Sequence, residues 1–336
     1  VRTVTHFSLD RINGTELRTI ADVDDGVIQL MQREENVIRG YARAKLWRHR
    51  RVMLFVMQDL DPLMRQVQTR PGFTRDRIAA IQDQPATVLY DLKALDECSV
   101  YVNRAASEKA GYWDDPLTME GLLAHEHAHP IAENDTVRAS RQIQLDITTA
   151  PGDPLGNVLN VLGQQLGLYA PREIFANETA LRAGFVEAMA HLNQRLIRDA
   201  VAGIPGRAIL VQRLEEAVVR KAMRQEASAA VLLAGDLQMC LPLAIEVAPF
   251  YRCGLAAQGA QLESVLQTGL FPMLTPMSAR VESAYGALRD AYVNLPATLT
   301  APALIDWCTE IMQTLVESLA TVDYSLKYAL RAQQVE

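Results

Sequence analysis

The chain has 336 residues, 49% of them hydrophobic, which is enough to bury one large core or two ordinary ones and excludes a small isolated module. A formal net charge of −7 means that the surface as a whole does not attract polyanions, so binding of nucleic acid or an anionic membrane would need a local basic patch. Four cysteines, Cys98, Cys240, Cys253 and Cys308, lie far apart without a CxxC pair. They indicate neither a thiolate zinc module nor a disulfide framework, and they point to a reducing compartment, read as the cytoplasm.

Helices are expected across 15–33 and 35–68. The second holds the one basic run, Lys45 to Arg51, beside the apolar Val52–Met57. It reads as the solvated end of a helix entering the core, and with no nucleic-acid module beside it no nucleic-acid partner is expected. No apolar run approaches the length of a membrane span and residues 1–6 carry no signal-peptide pattern, so no membrane partner is expected either.

A turn follows at Arg70-Pro71-Gly72, then a helix from Thr74 to Gln82. The pattern changes at Thr87–Tyr90 and Cys98–Val102, which are short, β-branched or aromatic, and suit strands of a small sheet. Asp115 is a suitable N-cap and Pro116 a suitable first helical residue, so a helix runs from 116 to about 129, where Pro130 disfavours its continuation. Beyond 150, Pro- and Gly-rich punctuation divides the chain into helices of ordinary length. In the last of them Leu304, Cys308, Ile311, Leu315, Leu319, Val322 and Leu326 form one apolar stripe. The fold class expected is mainly α with a small β-sheet. A helical region over 1–84, a core over 85–203 and a helical region over 204–336 are expected, or one continuous domain.

The chemistry is concentrated in His125-Glu126-His127-Ala128-His129, an HExxH motif at the end of the capped helix. His125 and His129 are four residues apart and share a face, so two imidazoles can bind one zinc ion. Glu126, rotated about 100° from His125, reaches a water beside the ion and acts as general base without being a ligand. His127, about 200° around, points away and is assigned to packing or to support of the site.

A catalytic zinc needs a third protein ligand. The helix beginning at Ala170 offers Glu173 and Glu178. At this point the sequence resembles the gluzincin class of zinc peptidases, in which a glutamate on a later helix completes an HExxH site. Glu173-Ile174-Phe175-Ala176-Asn177 matches the ExxAN form of that element, and the resemblance implies that Asn177 orients a ligating histidine. Asn177-Glu178 resembles the Asn-Glu pair of thermolysin and its relatives, although Arg182 stands where those have an acid. Glu173 is placed first because of Asn177, and Glu178 competes because it lies on an apolar face. Asp135 would be the ligand of a metzincin-like arrangement, but such chains turn at a glycine where this one has Ala132.

The resemblance implies a zincin-like core followed by a helical C-terminal region, and a zinc-dependent metallopeptidase of Zn2+ cofactor acting on a peptide or protein substrate. It also implies that the peptide lies along an edge strand, for which Cys98–Asn103 is the candidate. His191, Tyr169 and Arg172 are available as oxyanion donors, none of them assigned. Two other readings stand beside it. Glu126–His129 also reads as the ExxH of a carboxylate-bridged di-iron bundle, although Glu187–His191 is one residue too long to supply the second. A non-enzymatic helical interaction protein with a vestigial metal site is the other. The sequence does not specify the oligomeric state.

Overall fold

Alternation decides the N-terminal structure. In the computed structural model, which describes residues 5–22, 24–58, 84–149 and 153–333, the inward positions Thr15, Leu17, Thr19 and Ala21 make 15–22 a strand. This corrects the helix expected over 15–33 for residues 15–22, while 25–33 is helical as expected; the helix expected over 35–68 is present only in part, and its residues 59–68 fall outside the described residues. Its first part belongs to a helix ending at Arg43, while Arg51–Met57 is a strand whose apolar run reflects burial in the middle of a sheet. The turn at 70–72 and the helix at 74–82 fall outside the described residues.

By their contacts the described residues divide into two units. The first comprises 1–132 and 179–192. Strands β1 (Thr5–Ile12), β2 (Thr15–Asp22), β3 (Arg51–Met57), β4 (Ala86–Asp91) and β5 (Ala94–Asn103) form a sheet in the order β1-β2-β3-β5-β4. The β2–β3 and β3–β5 pairs are parallel, and both outer pairs are antiparallel. The strand signals at 87–90 and 98–102 are therefore real, but β5 is internal, flanked by β3 and β4. Cys98–Asn103 consequently has no open edge, a correction to its expected role, and among the described residues the edge on that side belongs to β4.

Parallel β2 and β3 need a crossover, which helix α1 (Asp25–Arg43) supplies. The Asp24 carboxylate accepts from the Val27 N–H at its start, at 3.0 Å. Its buried stripe runs Val27, Leu30, Glu34, Val37, Ile38 and Tyr41. After the short α2 (Arg104–Lys109) comes α3 (Pro116–Ile131), packed on α1, β4 and β5 and capped as expected, with the Asp115 carboxylate accepting from the Thr118 N–H. It outlasts the expected end: Pro130 is accommodated inside the last turn, and the Ala132 N–H closes on the Ala128 carbonyl at 2.7 Å.

The second unit comprises 133–178 and 193–336. Its helices are α4 (Asp135–Ser140), α5 (Gly156–Gly163), α6 (Ala170–Arg182), α7 (Val186–Ala202), α8 (Ile204–Val219), α9 (Gln225–Cys240), α10 (Leu243–Arg252), α11 (Ala256–Val265), α12 (Ser278–Val293) and α13 (Ala301–Ala320). Parts of α6 and α7 belong to the first unit. Strands β6 (Ile143–Thr148) and β7 (Lys327–Ala332), both missed in the sequence, pair antiparallel. The C-terminal stripe is buried throughout, but α13 stops at Ala320, so Val322 and Leu326 are buried beyond its end.

One stretch, Gln225–Arg252, is long and apolar enough to cross a membrane by length and composition, contrary to expectation. Its most apolar 18-residue window is 61% buried, and the stretch carries Asp236, whose carboxylate accepts two hydrogen bonds from Arg207 at 2.6 and 2.9 Å, which fits a core element of this unit. With 63% helix beside a mixed five-stranded sheet, the class is α+β.

Candidate metal centre

Helix α3 is held in place before any ligand is considered. The Tyr41 hydroxyl, on α1, donates to the Ala124 carbonyl at 2.6 Å, in the turn that precedes His125. At Gly121 a Cβ would stand 2.7 Å from the Ala188 carbonyl oxygen, so only glycine permits this approach of α3 to the 179–192 segment. At the helix start Asp115 also receives His191 Nε2 at 2.7 Å. Burial alone would push the Asp115 carboxyl up, but His191 and Thr118 prevail and hold it at about 2.

On this rod the donor atoms of His125, Glu126 and His129 lie within 4.8 Å of one another. The two rings meet edge to face, 4.6 Å between centroids. His129 and Glu126 are buried and His125 is half-buried. Two imidazoles with a carboxylate beside them suit zinc, and the pair fits the i, i+4 geometry that the ion requires.

His127 occupies the opposite face as expected, but it is more than packing. Its Nε2 is 2.6 Å from Glu34 Oε1 and its Nδ1 is 3.9 Å from Cys98 Sγ, with neither His127 nor Glu34 exposed. Burial pulls His127 down, yet the Glu34 carboxylate and the Cys98 thiol overcome this and hold it above the ordinary histidine range. Beside it stands His49, buried, with Trp47 edge-on at 4.6 Å. Burial and then the charge of His127 lower His49 to about 4, against the smaller opposing effect of the Leu95 and His127 backbone. None of Glu34, His49 and Cys98 was singled out as a site residue from sequence. The available signal was Glu34, an acid on the apolar stripe of α1.

Two of the four cationic side chains in the basic run around His49 are in ion pairs. Arg50 pairs with Asp96 at 2.7 Å and Arg51 with Glu97 at 3.0 Å, both across neighbouring strand ends.

The other predicted residues, His191 excepted, lie in the second unit. Glu178 is buried and pairs with Arg252 at 2.7 Å, and Arg252 also donates to the carbonyls of Tyr292, Val293 and Leu295. Glu173 is the more exposed of the two, 4.0 Å from Arg172. The Asn177 amide nitrogen donates to Glu246 Oε2 at 2.9 Å, which fixes the amide so that its carbonyl faces away from Glu246. Asp135 is exposed at the first position of α4, and Ala132 is right-handed with φ −78, so the glycine-like turn of a metzincin is not made. Tyr169 and Arg172 line an open cavity of about 560 Å³ in this unit. His191 is committed to Asp115, ten residues before His125 and thus about 15 Å along the helix from it.

Comparison of the chain with protein-family models, with curated proteins and with solved structures gave no match.

Proposed function

We propose that the chain is a zinc-dependent hydrolase, a metallopeptidase, with His125 and His129 as ligands and Glu126 as general base. The observation that carries this reading is the convergence of the three donors within 4.8 Å on a helix held by the Tyr41 hydroxyl and by the close approach at Gly121. A zinc ion held by these imidazoles would lower the pKa of a water at its open position to about 7 and polarise the scissile carbonyl. Glu126 then takes a proton from the attacking water and gives it to the departing amine, a role that needs a carboxylate beside the ligands and shielded from bulk solvent. The sheet supports the zincin-like reading of the fold: mixed, with α1 and α3 packed against it and, among the described residues, an antiparallel strand, β4, at its edge, where an extended peptide would add.

The third ligand is assigned from sequence to α6, as Glu173 or Glu178. The di-iron reading is disfavoured by His191, which serves the far end of α3.

Elemental analysis of chelator-washed and zinc-reconstituted protein tests the assignment. The reading expects zinc lost from the α3 site in His125→Ala, in His129→Ala and in one of Glu173→Ala and Glu178→Ala. Unchanged zinc in both histidine variants would overturn it, as would recovery of iron instead.

A further inference from the structure

We propose that His49, Cys98 and His127 form a second, buried metal site that takes zinc, on the face of α3 opposite to His125 and His129. One donor atom from each of the three lies within 4.8 Å of the others, and all three residues are buried. They come from the loop before β3, from β5 and from α3, so the site ties the sheet to the helix that carries the HExxH motif.

The hydrogen bonds around the cluster prepare it for a cation. His49 Nδ1 donates to the Leu95 carbonyl at 3.1 Å, which leaves the lone pair on Nε2. That Nε2 is buried and has no hydrogen-bond partner among the described residues. On His127 the Nε2–H is directed to Glu34 Oε1, which leaves Nδ1 to face the Cys98 sulfur at 3.9 Å. Two imidazole nitrogens and one sulfur therefore converge, each imidazole fixed by an acceptor on its other nitrogen, the arrangement that raises ligand basicity and sets ring orientation.

Donor type and charge point to zinc. Metal bonds of 2.0–2.3 Å place tetrahedral ligands about 3.5 Å apart, so the observed separations close with small side-chain adjustments. Binding releases the Cys98 thiol proton and any proton on His127 Nδ1. The dipositive ion is then balanced by one thiolate and by the Glu34 carboxylate behind His127, which leaves no net charge in the interior. Glu34 Oε2, also buried without a described partner, shows that this carboxylate is not satisfied by His127 alone. A nucleophilic role for Cys98, with His127 and Glu34 behind it, fails on access: Cys98 is 5% exposed and the other two are fully buried.

This inference does not rest on the hydrolase reading, because the donors are different side chains and only one of the two sites contains sulfur. Cobalt(II) titrated into the full-length, chelator-washed protein separates them. Thiolate ligation gives a sulfur-to-cobalt charge-transfer band in the near ultraviolet, which nitrogen and oxygen ligands do not produce. The expected result is that the band saturates within two equivalents in wild type, saturates at one equivalent in His125→Ala/His129→Ala and is absent in Cys98→Ser. Glu34→Gln should weaken cobalt binding at the thiolate site by about 10–100-fold, measured by competition with a chelator. Cobalt binding to wild type without the band would overturn the proposal whatever the variants do. So would an undiminished band in Cys98→Ser, which would place the thiolate at Cys240, Cys253 or Cys308.

Discussion

Glu34 Oε1 and His127 Nε2 stand 2.6 Å apart across the contact of α1 with α3, with no exposed surface on either side chain. Removing one partner leaves the other polar and buried. In metal-free protein, Glu34→Ala is expected to lower the unfolding free energy by about 3–5 kcal/mol, read from urea denaturation. Glu34→Gln retains an acceptor for a neutral imidazole and should cost clearly less. Equal, small losses in both would mean that the pair contributes little.

The clamp on α3 gives a second expectation. At Gly121 an added Cβ meets backbone, which cannot rotate away, so Gly121→Ala should destabilise by about 1–3 kcal/mol and weaken metal retention as α3 shifts. Tyr41→Phe loses only the bond to the Ala124 carbonyl, at a cost of about 1 kcal/mol, with metal content unchanged. Thermal melts and elemental analysis of both variants check the contrast.

The start of the same helix has a pH signature. The Asp115 carboxyl titrates at about 2 in the folded protein instead of 3.8, so its stabilisation is present above 3.8 and is lost as pH falls through 2. Asn caps helices about as well as Asp, so Asp115→Asn isolates the charged contact with His191. The stability difference between wild type and Asp115→Asn should shrink as pH falls from about 4 to about 2. A difference independent of pH over that range would assign the effect to the cap alone.

What the sequence conveyed well was local. The capped start of α3, the placement of His125 and His129 side by side on it and the strands β4 and β5 depend on spacing within a few residues, and the structure has all of them. Strand β3 was misread because a central strand and a helix segment carry the same apolar run, which pairing distinguishes, and β2 because its short polar–apolar alternation was read as the start of the helix that follows it. The position of β5 inside the sheet depends on β3, a partner more than forty residues distant in the chain, so its edge role could not be judged from its own residues. The Glu34–His127 pair spans 93 residues and the cluster with His49 and Cys98 draws on four separate elements. No short motif encodes such a cluster; only the acid on the stripe of α1 hints at a buried partner.

The most direct test of the hydrolase reading compares cleavage of a peptide mixture by zinc-loaded wild type and Glu126→Gln, followed by mass spectrometry, with zinc content recorded on the same samples. Gln keeps the size of the side chain and cannot take a proton. The account predicts new peptide termini with wild type, a rate lower by about 10²–10⁴-fold in Glu126→Gln, and equal zinc in both. Equal cleavage by the two proteins, or zinc-loaded wild type that produces no new termini, would contradict it.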